Sequence, residues 1–133
     1  MTSTTTTTEP AEGLCCRILI LYSSGGISQT FPELLGKYGE QIGDQENNRT
    51  VWQRLTDGSI TLHYTNDTHY KWEGWVVSLE RYGTIGKISN RGARLCPVGL
   101  TDGWQYYQPW GWQNDTTLRV SCDQDVNKNK SGQ

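Results

Sequence analysis

The sequence predicts an all-β fold, a small antiparallel β-sandwich or barrel of about seven short strands that is stabilised by disulfide bonds. Short runs rich in β-branched and aromatic residues recur along the chain, separated by Gly, Asn and Asp, and helical periodicity is almost absent. The four cysteines are an even number, as a disulfide framework requires. The chain has 133 residues, enough for one domain, which we assign to 14–122.

The predicted strands are 16–22, 49–55, 59–65, 72–80, 84–89, 103–107 and 117–122. The first is apolar on both faces, as in a central strand. Pro32 after it can open one helical turn, which Gly36 ends. The second and third strands predict a hairpin across Thr56-Asp57-Gly58, because Asp-Gly adopts positive φ at low cost.

The third strand alternates in polarity, which predicts one buried face and one solvated face. Ile60, Leu62 and Tyr64 share the first face, and His63 lies on the second. The later strands repeat the alternation with the apolar sets Trp75, Val77, Leu79 and Leu118, Val120, Cys122.

Aliphatic residues are scarce, since Leu, Ile, Val and Phe together number 25 of 133. Such a value is typical of disordered chains, but disorder also needs a strong net charge, and this chain has a formal net charge of −2. Six Trp and seven Tyr supply the missing apolar area. We therefore expect a folded body in which rings replace aliphatic side chains.

The charges of the predicted body balance, with ten basic and ten acidic residues between Cys15 and Cys122. Such a body offers no basic patch for a nucleic acid or an anionic membrane, and no apolar run is long enough to span a bilayer. The Thr-rich segment 1–13 is predicted to be a disordered linker or O-glycosylated stalk, and 123–133 a polar tail. We expect a fragment of a longer secreted or cell-surface protein.

The cysteines Cys15, Cys16, Cys96 and Cys122 form no C-x-x-C pair and predict no zinc site. A bond between adjacent cysteines is strained, so Cys15 and Cys16 are each expected to pair with Cys96 or Cys122, in either combination. A bridge from the first strand to the last closes a loop of roughly 105 residues and is worth about 4–5 kcal/mol in the chain-entropy model.

Four N-x-[ST] triplets add to the expectation of an oxidising, extracellular compartment. Their acceptors are Asn48, Asn66, Asn114 and Asn129. In two of the triplets the middle residue is Asp, which lowers the efficiency of the acceptor.

A longer series of short motifs resembles an uncharacterised β-module of multi-domain extracellular proteins from invertebrates and protists. The series is Gly36-Lys37-Tyr38, Asn48-Arg49-Thr50-Val51-Trp52, Ile60-Thr61-Leu62-His63-Tyr64, Trp75-Val76-Val77-Ser78, Cys96-Pro97, Trp104-Gln105-Tyr106 and Leu118-Arg119-Val120-Ser121-Cys122. The chain departs from that pattern by lacking a Gly between Asn48 and Arg49 and by having Trp52 in place of Tyr. The resemblance implies an extracellular module and no particular site residues.

Catalytic chemistry has little support in the sequence. The two histidines, His63 and His69, have no nucleophile motif beside them, and His63 is expected to be solvated. Asp57, Asp102 and Asp115 fall in predicted turns, where an Asx-turn hydrogen bond explains them better than Ca²⁺ does. We predict no enzyme activity, no metal and no cofactor.

Five aromatic residues fall within nine positions, interrupted by Pro109 and Gly111. A regular strand cannot bury them all, so some rings should project into solvent. Trp104 and Tyr106, together with Trp75 earlier in the chain, fit strand positions and are expected in the core, whereas Trp52 and Trp72 stay undecided. The candidate binding platform is therefore Tyr107, Trp110 and Trp112.

The favoured function is a non-enzymatic adhesion, matrix or protein-interaction module, with an extracellular protein as partner or with self-association through the Trp110 loop. The alternative is a lectin-like carbohydrate-binding domain that uses the same rings to stack on sugars. A secreted hydrolase or toxin has no supporting constellation of residues.

Overall fold

The computed structural model describes residues 15–46, 49–67, 71–79 and 86–123, and the predicted linker 1–13 and residues 124–133 of the predicted tail lie outside them. A short helix α1 (Gly26–Thr30) and a 3₁₀ turn (Pro32–Leu34) follow the first strand. The strands are β1 (Ile18–Tyr22), β2 (Gly36–Glu46), β3 (Arg49–Arg54), β4 (Asp57–Asp67), β5 (Trp72–Ser78), β6 (Ile88–Asn90), β7 (Gln105–Gln108), β8 (Gly111–Asn114) and β9 (Arg119–Cys122).

All the described strands belong to one curled antiparallel sheet with the order β9-β1-β2-β3-β4-β5-β6-β7-β8. The chain runs as a meander from β1 to β8, and β9 then returns to pair with β1. The predicted all-β class is confirmed, and the curled sheet is a half-barrel. The prediction of seven strands is wrong, because the described residues contain nine, and they form one sheet rather than the two of a sandwich.

The two strands that the sequence missed are β2 and β8. Strand β2 contains three glycines and three acidic residues, so its own propensity is poor, but β1 and β3 pair with it on both sides. Strand β8 follows the two-residue turn Pro109-Trp110, which the sequence marks as a break. The predicted hairpin at Asp57 exists with a shifted turn, since Arg54 pairs with Asp57 across Leu55 and Thr56.

Aromatic rings fill the concave side of the sheet. Trp52, Trp75 and Trp104 are at most 1% exposed, and the Trp52 and Trp75 ring centroids lie 5.9 Å apart. Tyr64 meets Trp75 edge to face at 5.5 Å, and the packing of these rings replaces much of the missing aliphatic volume. Ile27 and Leu34, from α1 and the 3₁₀ turn, complete the core beside Tyr38, whose hydroxyl donates to the Leu34 carbonyl.

Two disulfide bonds close the domain, Cys15–Cys96 and Cys16–Cys122, and confirm the predicted framework. The second joins Cys16, two residues before β1, to Cys122, the last residue of β9, next to the ladder in which these strands pair. The body extends slightly further than the predicted limit at Cys122. Asp123 is buried, its backbone N–H donates to the Ile18 carbonyl, and its carboxylate lies 2.9 Å from the Lys37 Nζ.

Asp115 ties the two ends of the sheet together. It lies in the short link between β8 and β9, and its buried carboxylate accepts hydrogen bonds from the Ser23 Oγ at 2.7 Å and the Ile27 N–H at 3.0 Å. The Thr117 N–H and hydroxyl donate to the other carboxylate oxygen. A Cβ at Gly25 would lie 2.8 Å from that carboxylate, so the close approach requires glycine. The carboxylate therefore holds the β8–β9 link against the segment that leads into α1.

No helix in the described ranges is long and apolar enough to cross a bilayer.

Candidate functional site

The three residues of the predicted platform are all exposed, with relative exposures of 39% for Tyr107, 74% for Trp110 and 42% for Trp112. They lie on the β7–β8 hairpin. Tyr107 and Trp112 are direct cross-strand partners, and their rings meet edge to face with centroids 5.9 Å apart. Trp110 occupies the turn itself, followed by Gly111 at φ 131°. The hairpin therefore presents a fixed pair of rings and a third ring at its tip.

Strand alternation separates these rings from the core. Tyr106 and Trp104 have the opposite parity to Tyr107, and Trp104 is buried while Tyr106 packs partly against the core. On the outer side, the Lys87 Nζ lies 5.0 Å from the centroid of the Tyr107 ring. The Tyr107 N–H also donates to the Lys87 carbonyl, which fixes the backbone of this corner. The platform is consequently a face of the sheet rather than an isolated loop.

A pocket of about 420 Å³ opens next to the platform. Its wall mixes one indole with amide, carboxylate, guanidinium and hydroxyl groups. The lining residues that carry these groups are Trp72, Ser89, Asn90, Arg91, Asp102 and Gln105. The Asn90 amide braces the wall, since its Nδ2 donates to the Asp102 carbonyl at 2.8 Å and its Oδ1 accepts from the Gly92 N–H at 2.7 Å.

Trp72 can line the pocket because residue 74 is a glycine. A Cβ at Gly74 would lie 2.8 Å from the Trp72 Cη2 and 2.4 Å from the Asn90 carbonyl oxygen. The missing side chain therefore lets the indole lie across β5 towards β6. The guanidinium of Arg91 lies over the same indole, 5.6 Å from the ring centroid, within range of a cation–π contact.

Strand register places the pocket and the platform on one face. Gln105 lines the pocket, and Tyr107 is two residues further along the same strand, so their side chains leave the same side of the sheet about 7 Å apart. Ser89 pairs with Gln105, and Gln105 pairs with Asn114. The Gln105 Nε2 donates to the Asn114 Oδ1 at 3.0 Å. We call this continuous surface the outer face: the pocket, Gln105, Asn114, Lys87 and the platform.

The sequence singled out only part of the outer face. Asn114, a candidate glycosylation acceptor, lies within it, and Asn66 is exposed at the end of β4. Asn48 and Asn129 lie outside the described residues, and glycosylation stays a prediction. Sequence reasoning left Trp72 undecided and missed Arg91 and Gln105. One sequence pattern could have indicated the pocket, namely Trp72 and Gly74, two residues apart on a predicted strand.

The expectation of a solvated His63 is wrong. The side chain is fully buried on the convex side of β4, where its Nε2 lies 3.2 Å from the Ser78 hydroxyl. Both faces of this strand are therefore covered, since Thr61 and Thr65 are buried beside His63 and Val76 lies opposite it. The second histidine, His69, lies outside the described residues.

The three aspartates considered for Ca²⁺ lie in different elements, Asp57 at the start of β4, Asp102 before β7 and Asp115 between β8 and β9. No group of three or more metal-ligating side chains occurs in the described part of the chain. Hydrogen bonds from Ser59 hold the pKa of Asp57 below its ordinary value. Burial and a hydrogen bond to Glu73 raise the pKa of Tyr64 to about 12, so this phenol stays neutral as a donor to Glu73.

Comparison of the chain with models of known protein families, with curated proteins and with solved structures finds no match. The resemblance to an extracellular β-module therefore stays a prediction, and the geometry of the outer face is the ground for a functional proposal.

Proposed function

We propose that this chain is a non-enzymatic, lectin-like binding module of an extracellular protein and that the outer face holds a carbohydrate. One observation carries the proposal: an aromatic platform and a pocket with several polar groups in its wall adjoin each other on a single face of the sheet, with Gln105 at their junction. The two disulfides suit the oxidising compartment in which such a module would work.

The pattern of groups on the outer face matches the surface of an oligosaccharide. A sugar ring has an apolar C–H face, which stacks on an aromatic ring, and an edge of hydroxyl groups, which require donors and acceptors. Trp72 and Trp112 offer ring faces, while Gln105 and Asp102 offer an amide and a carboxylate between them. A protein ligand would favour a more continuous apolar centre, with the polar groups at the rim.

A protein partner is the second candidate, as an adhesion module would require. The observation that favours it is Trp110, which is 74% exposed at the tip of the hairpin and does not line the pocket. An exposed Trp on a tight turn is a typical anchor for a protein contact.

A glycan array separates the two candidates. We expect binding to a defined group of oligosaccharides, reduced about tenfold or more by Trp112→Ala and by Trp72→Ala, because each substitution removes one stacking ring. Leu55→Ala is the matched control, since Leu55 is 56% exposed in the β3–β4 turn, away from the outer face. It should bind like the unsubstituted chain.

Two results of these experiments would count against the lectin-like function of the outer face. An array without signal, together with capture of an extracellular protein that Trp110→Ala abolishes, would establish the second candidate. Equal binding by the Trp112→Ala, Trp72→Ala and Leu55→Ala variants would mean that sugars bind elsewhere on the chain.

A further inference from the structure

The outer face carries two cations that stand over aromatic rings. Arg91 lies over Trp72 at the pocket, and Lys87 lies over Tyr107 at the platform. They flank β6 on either side, four residues apart, or about 13 Å along an extended chain. Within the described part of the chain, neither Arg91 nor Lys87 belongs to an ion pair, unlike Arg17 with Glu40 and Lys37 with Asp123.

Contact with an aromatic ring holds each cation in place, which favours the binding of an anion. The ring face attracts the cation and restricts its side chain, so less conformational entropy is lost when a ligand binds. The guanidinium of Arg91 keeps its N–H donors in a planar fork, which fits the two oxygens of a carboxylate or sulfate group. Lys87 offers a second positive charge at the other end of the same face.

We propose that the ligand of the outer face is an acidic oligosaccharide, with a carboxylate or sulfate group bound by Arg91 and a second acidic group near Lys87. This inference rests on the lectin-like function proposed above and adds the class of sugar. Charge complementarity supports it, because the described residues of the outer face carry two cations and one carboxylate, that of Asp102. Asp102 is exposed at the pocket wall and serves as an acceptor for sugar hydroxyl groups.

A single-stranded nucleic acid also combines anionic groups with stacking rings, but it fits this chain less well. Binding of its backbone depends on a groove with many cations that follows every phosphate. The predicted body has ten basic and ten acidic residues, and the outer face has two of the cations. A sugar with sparse acidic groups matches that density of charge.

Three oligosaccharides and one substitution test the inference by calorimetry. The probes are a heparin-derived tetrasaccharide, its fully desulfated and re-N-acetylated counterpart, in which the carboxylates are the remaining charges, and neutral, fully N-acetylated chitotetraose. We expect the acidic probes to bind more tightly than chitotetraose, and Arg91→Gln to weaken the acidic probes about tenfold or more while changing chitotetraose by less than about twofold. Higher salt should weaken the acidic probes selectively.

Two further variants serve as controls, one for the shape of the guanidinium group and one for the loss of a positive charge elsewhere. Arg91→Lys keeps the charge and loses the fork, so its affinity for the acidic probes should fall between those of the unsubstituted chain and Arg91→Gln. Arg17→Gln removes a cation whose exposed pair with Glu40 contributes little stability, and it should bind all probes normally. The thermal unfolding of Arg91→Gln should match that of Arg17→Gln.

Each outcome decides between the alternatives. A preference for the heparin probe that disappears on desulfation supports the inference with sulfate as the bound group, and a preference that survives desulfation supports it with carboxylate. Equal binding of all three probes, or no effect of Arg91→Gln, overturns the acidic class while the lectin-like function stands. Tighter binding of an octauridine oligonucleotide than of any sugar overturns it in favour of nucleic acid. Absence of sugar binding on the full array rejects both proposals together.

Discussion

Removal of the Cys16–Cys122 bridge by Cys16→Ser with Cys122→Ser is expected to lower the free energy of unfolding by about 3.5 kcal/mol. Alone, a bridge across 106 residues would be worth about 4.7 kcal/mol in the chain-entropy model. The value is smaller here because Cys15, adjacent to Cys16, already holds Cys96 in place. The freed segment is therefore the stretch from Cys96 to Cys122, 26 residues in length.

Denaturant unfolding of the non-reduced proteins measures the free energy, and thermal unfolding measures the Tm. The paired variant should still unfold in one cooperative transition, with a Tm lower by roughly 15–25 °C. Loss of both bridges should cost about 8 kcal/mol, comparable with the whole stability of a small domain, and leave the chain unfolded. An unchanged midpoint after loss of Cys16–Cys122, or a cooperative fold with all four cysteines replaced, would show that the aromatic core suffices without the bridges.

Replacement of Asp115 by Ala is expected to cost about 3 kcal/mol at neutral pH, because the Ser23 hydroxyl and the Ile27 N–H lose their buried acceptor. Asp115→Asn should cost nearly as much. Both carboxylate oxygens accept hydrogen bonds, so an amide must turn its NH₂ group towards donors. Ser23→Ala removes a single bond and should cost about 1–2 kcal/mol.

The Asp115 contribution also depends on pH. Burial raises the pKa of Asp115, but hydrogen bonds from Thr117, Ser23 and Ile27 outweigh it, and the pKa lies below the ordinary value of 3.8. A carboxyl group with a lower pKa in the folded state stabilises the fold above its unfolded pKa and loses that contribution as the pH falls through the folded value. The stability gap between the unsubstituted chain and Asp115→Asn should therefore be full at pH 7 and shrink below about pH 4.

Urea unfolding of both proteins at a series of pH values provides the check. A gap that stays constant down to pH 2, or an Asp115→Asn variant as stable as the unsubstituted chain at pH 7, would mean that the carboxylate does not hold the β8–β9 link.

The sequence predicted the all-β class from alternation, and the number and spacing of the cysteines predicted that Cys15 and Cys16 each bond to Cys96 or Cys122. It left open which of the two combinations forms, and the structure has Cys15–Cys96 and Cys16–Cys122. It missed β2, whose glycines form a strand only because β1 and β3 bond to it on both sides. It also assigned His63 to solvent. Alternation along β4 is present, but the convex side of the sheet is covered as well, which a single strand cannot reveal.

The candidate site is likewise only partly predictable from the sequence. Tyr107, Trp110 and Trp112 stand out in the sequence because Pro109 and Gly111 interrupt the aromatic run. The pocket is lined by residues from β5, β6 and the segments around Arg91 and Asp102. Its lining residues span 33 positions of the sequence, from Trp72 to Gln105. Strand pairing brings these residues together, so the spacing of Trp72 and Gly74 is a local hint of the pocket, and no local pattern predicts its other lining residues.

The tryptophans allow one direct test of the outer face as the ligand-binding surface. In a ¹⁵N-labelled chain each of the six indole N–H groups gives its own NMR signal, and three of the rings, Trp52, Trp75 and Trp104, are buried internal controls. Titration with the heparin-derived tetrasaccharide should shift the signals of Trp72 and Trp112 together and leave the three buried ones in place. Shifts confined to the buried indoles, or none at Trp72 and Trp112 while the tetrasaccharide binds, would contradict the assignment of this face.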